Sequence, residues 1–144
     1  MSDRVIRLGG SHIGNPGSIQ NLNIFLAKSK ARKFVVVSAV PELLEFIENR
    51  VQNVFNQKTG GKNIEEWLNV FYSQKVKHTI SPQYSSLVEQ ISNLFKGIAL
   101  IGDYSAALKD QVVSYSEKLA AEILKSQLYS LGDVVQVLLP EQLG

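Results

Sequence analysis

The sequence predicts an α/β fold built on a parallel sheet, from three observations. Residues 34–38 read FVVVS, a continuous β-branched apolar run of the kind that suits a strand buried on both faces. Residues 4–8 read RVIRL, a second short strand-like run that ends at Gly9-Gly10. Between the two, Ile19, Leu22, Phe25 and Leu26 recur at helical spacing. Strand, helix and strand in that order imply a right-handed crossover and parallel pairing.

Each element has its own signal. The polar turn SHIGNPG leads from Gly9-Gly10 into a helix over about 18–31, with Ser18 as its expected N-cap. Pro41 opens the next helix at a tolerated first-turn position, and Glu42 and Glu45 suit its positive end. Leu43, Leu44, Ile47, Val51, Val54 and Phe55 then share one face until Lys58-Thr59-Gly60-Gly61 marks a loop. Residues 64–74 form a short helix with Trp67, Leu68 and Phe71 inward. Ser81-Pro82 starts another, carrying Leu87, Ile91, Leu94 and Phe95. One long helix, or two in sequence, follows over 105–129, with Val112, Leu119 and Leu124 as core candidates, and Leu131-Gly132-Asp133 ends it. Residues 134–139 (VVQVLL) read as a third parallel strand, stopped by Pro140.

At 144 residues, 44% hydrophobic and 19% charged, the chain 1–144 is expected to form a single globular domain. No apolar run approaches the ~18 residues of a membrane span, and MSDRVIRLGG lacks the apolar core of a signal peptide. The absence of cysteine excludes disulfides, thiol catalysis and cysteine-built metal centres, and fits a reducing, cytoplasmic setting. The net charge of +2 is too small to argue for nucleic acid, and no aromatic residues interleave the basic ones as a stacking platform. Charge is nonetheless uneven. Arg4, Arg7, Lys28, Lys30, Arg32 and Lys33 face Asp3 alone in the first 33 residues, whereas the end of the chain is acidic. A basic segment of this kind attracts anionic ligands, although a lysine-rich helix end explains Lys28–Lys33 equally well.

The stretch GGSHIGNPGS carries the chemistry. Glycines after a buried strand let a ligand approach the backbone, and a helix N-terminus beyond them favours an anion. It is neither a Walker loop, lacking GK[ST], nor a dinucleotide fingerprint, lacking GxGxxG. Ser11 and His12 are chain neighbours and so are not read as a nucleophile–base pair. His12 and His78 are too isolated for a metal site and read as polar loop residues.

VIRLGGSHIGN resembles the opening strand and turn of aspartate kinases, approximately V-x-K-F-G-G-T-S-V-x-N. VVVSAV resembles that family's second strand, and LFKGIALIGDYSAALKDQVVSYSEKLAAEIL resembles a later helix, turn and helix reading V-x-S-x-G-E-x-L-S. The three occur in family order and span most of the chain, while residues 56–90 match only in being helical. The resemblance implies a three-layer αβα fold with a mostly parallel sheet, of the amino-acid kinase type, present here as its N-terminal, aspartate-binding part. It implies ATP- and Mg2+-dependent phosphorylation of the L-aspartate side-chain carboxylate, a reaction that rests on charge neutralisation and alignment. By the same resemblance, Arg7 stands where the family has a catalytic lysine, and Gly9 and Gly10 offer amides to the transferred group. Ser11, His12 and Ser38 fall on substrate-side positions, and Glu117 on the glutamate that takes the substrate ammonium.

The departures are specific. Arginine is a planar fork rather than a point charge, and His12 replaces a small hydroxyl. Ser116 stands at a family glycine and Ala120 at a frequent serine; VPELLEF lacks the usual threonine turn; no GRGGSD-like nucleotide motif is present. The chain alone is therefore expected to bind neither ATP nor Mg2+ tightly and to be inactive without a C-terminal half or a homo-oligomeric partner. Three readings remain open: an aspartate kinase N-terminal part, a kinase-derived interaction module, and a small anion-binding domain. On purely structural grounds Glu117 reads as a solvated helix carboxylate, and Arg7 as the ion-pair partner of a local acid such as Asp3.

Overall fold

A computed structural model describes residues 3–28, 30, 32–57, 64–77, 79–102 and 105–139. Two strands, β1 (Arg4–Leu8) and β2 (Lys33–Val37), pair in parallel with Arg4 opposite Lys33 and Leu8 opposite Val37. Among the described residues five α-helices accompany them: α1 (Pro16–Ala27), α2 (Pro41–Gln57), α3 (Ile64–Lys75), α4 (Pro82–Ile101) and α5 (Ala106–Ser130). The fold is mixed α/β and dominated by helix. α5 touches each of the other four helices and β2, so it is the element around which the core assembles.

The helix boundaries follow from local chemistry. Ser81 accepts a hydrogen bond from the Tyr84 amide and Ser105 from the Leu108 amide, so both serines cap the helices that the sequence starts there. α1 differs. Its N-cap is Asn15, whose Oδ1 accepts from Gly17 N at 3.0 Å and Ser18 N at 3.2 Å, and the helix begins at Pro16 rather than at Ser18. An asparagine followed directly by proline satisfies both N-terminal preferences at once, which outweighs the serine two residues on. At the other end, Lys33 Nζ donates to Leu26 O at 2.7 Å, taking up one of the last carbonyls of a helix that stops at Ala27. Asn15→Ala is expected to cost about 1 kcal/mol while Ser18→Ala costs less, a ranking that urea midpoints of the two variants check directly.

The core runs through α2 to α5. Leu43, Ile47, Val51, Leu68, Phe71, Ile91, Phe95, Val112, Leu119 and Leu124 are buried as their spacing implies. Tyr72 and Tyr84 pack against each other at 4.6 Å between ring centres, and their hydroxyls donate to Ser126 Oγ and Leu68 O. Phe46, Trp67 and Phe71 stack in a row, 3.6 Å and 5.3 Å between neighbours, with Arg50 over the first ring and Lys75 over the last.

Two expectations about the sheet need correction. β2 is not buried on both faces: Val35 and Val37 are half-buried, while Phe34 and Val36 are exposed. A β-branched run reports strand propensity regardless of how many faces are covered. Residues 134–139 form no strand among the described residues, so the sheet there has two strands and not three. Exposure does alternate along this segment, with Val134 at 88% and Val135 packed against the core. That period-2 pattern records one-sided burial, which needs no ladder partner. Asn23 Nδ2 donates to Asp133 Oδ2 at 2.5 Å and ties the segment's start to α1. The loop at 58–61, His78 and Pro140 lie outside the described residues, as do the side chains of Val54 and Phe55.

Candidate functional site

The parallel register sets where a site can be. β1 and β2 end together, and Ser38 N donates to Leu8 O at 3.2 Å just beyond the last ladder pair. Gly9-Gly10 and Ser38 therefore lie side by side at the carboxyl end of the sheet, the place where open α/β sheets bind ligands. Gly10 begins a short 3-10 turn, Gly10–His12, and is buried directly against the backbone after β2. A Cβ on Gly10 would lie 1.9 Å from Ala39 O, so only glycine permits this approach.

The turn is held from its other side as well. His12 Nδ1 and Ser18 Oγ are 3.1 Å apart, linking the turn to the first turn of α1. Gly14 has φ +90°, and a Cβ there would lie 2.6 Å from Lys75 Cδ, so the lysine stem crosses this glycine. Gln127 Nε2 donates to Lys75 O at 3.3 Å, which fixes the end of α3 to α5. Lys75 thus lies beside Gly14, four residues beyond Gly10. Sequence reasoning missed it, because a lysine in the last turn of a helix reads as an ordinary dipole partner.

The residues implied by resemblance are placed as follows. Gly9, Gly10, Ser11, His12 and Ser38 come together around the turn, with Ser11 and His12 exposed and Ser38 half-buried. Arg7 is exposed and, by strand alternation, shares a face with Val5, opposite in sense to buried Leu8. It has no hydrogen-bond or ion-pair partner among the described residues. The local acid considered for it is engaged elsewhere: Arg32 donates to both carboxylate oxygens of Asp3, at 2.9 Å and 3.3 Å. Those bonds hold the Asp3 carboxyl below the usual carboxylate range. Glu117 is exposed on α5. Ten residues separate it from Gln127, about 15 Å along the helix axis, and no described contact joins it to the turn or to Arg7.

α5 also carries an acid that the sequence did not single out. Glu122 is 7% exposed, and its Oε2 has no hydrogen-bond partner among the described residues. Burial pushes its carboxyl above the usual glutamate range, opposed in part by the Lys125 ammonium. A raised folded-state pKa means that the native state holds the proton more tightly than the unfolded chain. The stabilisation is complete below the unfolded value of about 4.3 and is lost as pH rises through the folded value. Glu122→Gln is expected to be more stable than wild type at pH 7 and to lose that advantage at pH 4. Paired urea unfolding curves at the two pH values read the difference.

Away from the turn, a polar groove of about 380 Å³ lies between α3 and α4, lined by Glu65, Asn69, Ser85, Val88, Glu89, Asn93 and Lys96. No helix is long and apolar enough, among the described residues, to cross a membrane. Comparison with protein-family models and with curated proteins finds no match to this chain.

Proposed function

We propose that the chain is related to the N-terminal, aspartate-binding part of aspartate kinases and that its glycine turn receives the acidic end of L-aspartate. One observation carries this reading. Gly9-Gly10 and Ser38 share the carboxyl end of two parallel strands, with Gly10 seated on the backbone after Ser38. The order strand, Gly-Gly turn, helix, strand, serine is the order the resemblance requires. In this reading the protein is cytoplasmic, and its sheet belongs to a three-layer αβα arrangement of the amino-acid kinase type.

The donor set at the turn does not fit the phosphates of ATP with Mg2+. Asn15 Oδ1 already occupies the amides of Gly17 and Ser18, the two that α1 would otherwise offer to an anion. No step of phosphoryl transfer is assigned to this chain alone. Its contribution is to hold a small acidic substrate by the amides of Gly9, Gly10 and Ser11, since those of His12 and Ile13 already donate to Gly9 O and Gly10 O, with Lys75 beside Gly14.

A second reading, a non-catalytic interaction module, is favoured by the outward face of Arg7 and the exposure of Glu117. A coupled assay for aspartate-dependent ATP turnover, together with calorimetric titration of aspartate into wild type and Glu117→Gln, separates the readings. No turnover and weak, saturable aspartate binding support the first. Equal affinity in the two proteins assigns Glu117 no ligand role, and absence of any aspartate binding leaves the interaction module. Turnover abolished by Glu117→Ala would overturn the expectation of inactivity.

A further inference from the structure

The outer face of the two-stranded sheet has no covering layer among the described residues. Strand alternation sends Ile6, Leu8, Val35 and Val37 inward and Val5, Arg7, Phe34 and Val36 outward. Val5 is 69% exposed, Val36 53% and Phe34 37%, and the register sets Val5 beside Phe34 and Arg7 beside Val36. Parallel sheets occur almost only with both faces covered, usually by helices. We infer that this face is the seat of an acidic amphipathic helix supplied by a protein partner, an inference that rests on the interaction-module reading and not on the three-layer aspartate kinase one.

Size and charge select that occupant. Five residues of strand span about 16 Å, the length of a helix of about eleven residues, and two strands are wide enough for one helix only. The face carries Arg7 and Arg32 against Asp3. Arg32 lies over the Phe34 ring at 5.3 Å and is paired with Asp3, whereas Arg7 has no acid partner among the described residues. A second copy of this chain packed face to face about an axis parallel to the strands would bring Arg7 toward Arg7, and like charges across an interface are strongly disfavoured. A helix with a leucine stripe fills the Val5–Phe34–Val36 surface, and a glutamate beside the stripe meets Arg7.

The test uses two helical peptides of about fourteen residues with the same leucine stripe, one flanked by glutamate and the other by lysine. Fluorescence anisotropy is expected to show the glutamate peptide binding at least about tenfold more tightly than the lysine peptide, with affinity falling as salt rises. Val36→Glu and Val5→Glu, both at exposed positions, are each expected to weaken the glutamate peptide by about tenfold or more with an unchanged circular dichroism spectrum. Arg7→Glu is expected to reverse the preference toward the lysine peptide. Equal binding of the two peptides, no binding of the glutamate peptide, or indifference to Val36→Glu would overturn the inference. A dimer in sedimentation that Val36→Glu dissociates would assign the face to a second copy instead. Stronger binding to phosphatidylserine vesicles than to either peptide would assign it to a lipid surface.

Discussion

Gly10→Ala is expected to destabilise the protein by about 3 kcal/mol or more, lowering the melting temperature by roughly 10 °C or beyond. The added methyl would sit 1.9 Å from Ala39 O, 2.5 Å from Ala39 C and 2.8 Å from Val40 N, all of them backbone atoms. Backbone cannot rotate aside as a side chain can, so the turn must separate from the end of β2 or the strands must shift. Gly9→Ala is the matched control. Gly9 has φ −66° and ψ 144°, which any residue adopts, and its Cβ would meet only His12 Cδ2 at 3.6 Å. That variant is expected to melt within about 2 °C of wild type. A scanning calorimetry trace for each protein decides the matter, and equal melting temperatures would mean that the close approach of the two strand ends is absent in solution.

Phe95→Ala is expected to cost about 3–5 kcal/mol, the range for an aromatic ring removed from a closed core. Phe95 is fully buried on α4, which packs against α2, α3 and α5, so its cavity is bounded by several helices and cannot collapse along one direction. On the same helix Leu100 is 87% exposed, and Leu100→Ala is expected to stay within about 0.5 kcal/mol of wild type. Urea unfolding with an unchanged slope and a midpoint lowered only for Phe95→Ala is the expected pattern.

The helical part of the fold was legible because its signals are local and redundant. Ser81-Pro82 and Ser105 are caps written directly into the chain, and the apolar spacing of Leu43, Ile47 and Val51 or of Ile91 and Phe95 coincides with the buried faces. β1 and β2 were legible to within a residue, and their parallel pairing followed from the helix between them. What the sequence lacked was information about coverage. FVVVS has the same composition whether one face or two are buried, and VVQVLL alternates whether it pairs or merely lies against the core. Both errors come from reading a strand's neighbours off the strand itself.

The candidate site divides the same way. Gly9, Gly10 and Ser38 are close in sequence to strand ends, so parallel pairing brings them together without further information. Lys75 reaches Gly14 because α3 ends beside α5, a juxtaposition set by helix packing across more than sixty residues. Glu122 is buried by the same packing. Nothing in the sequence around it, with Lys118 and Lys125 nearby, marks it as buried.

As proposed, the turn at the carboxyl end of the β1–β2 pair binds a small acidic ligand. Titration of L-aspartate into 15N-labelled protein, followed by amide chemical shifts, tests it most directly. Saturable shifts clustered at Gly9, Gly10, Ser11, His12 and Ser38, diminished in Lys75→Met, are the expected result. No saturable shift at those amides, or shifts confined to Glu65, Asn69, Glu89 and Lys96 in the groove between α3 and α4, would contradict it.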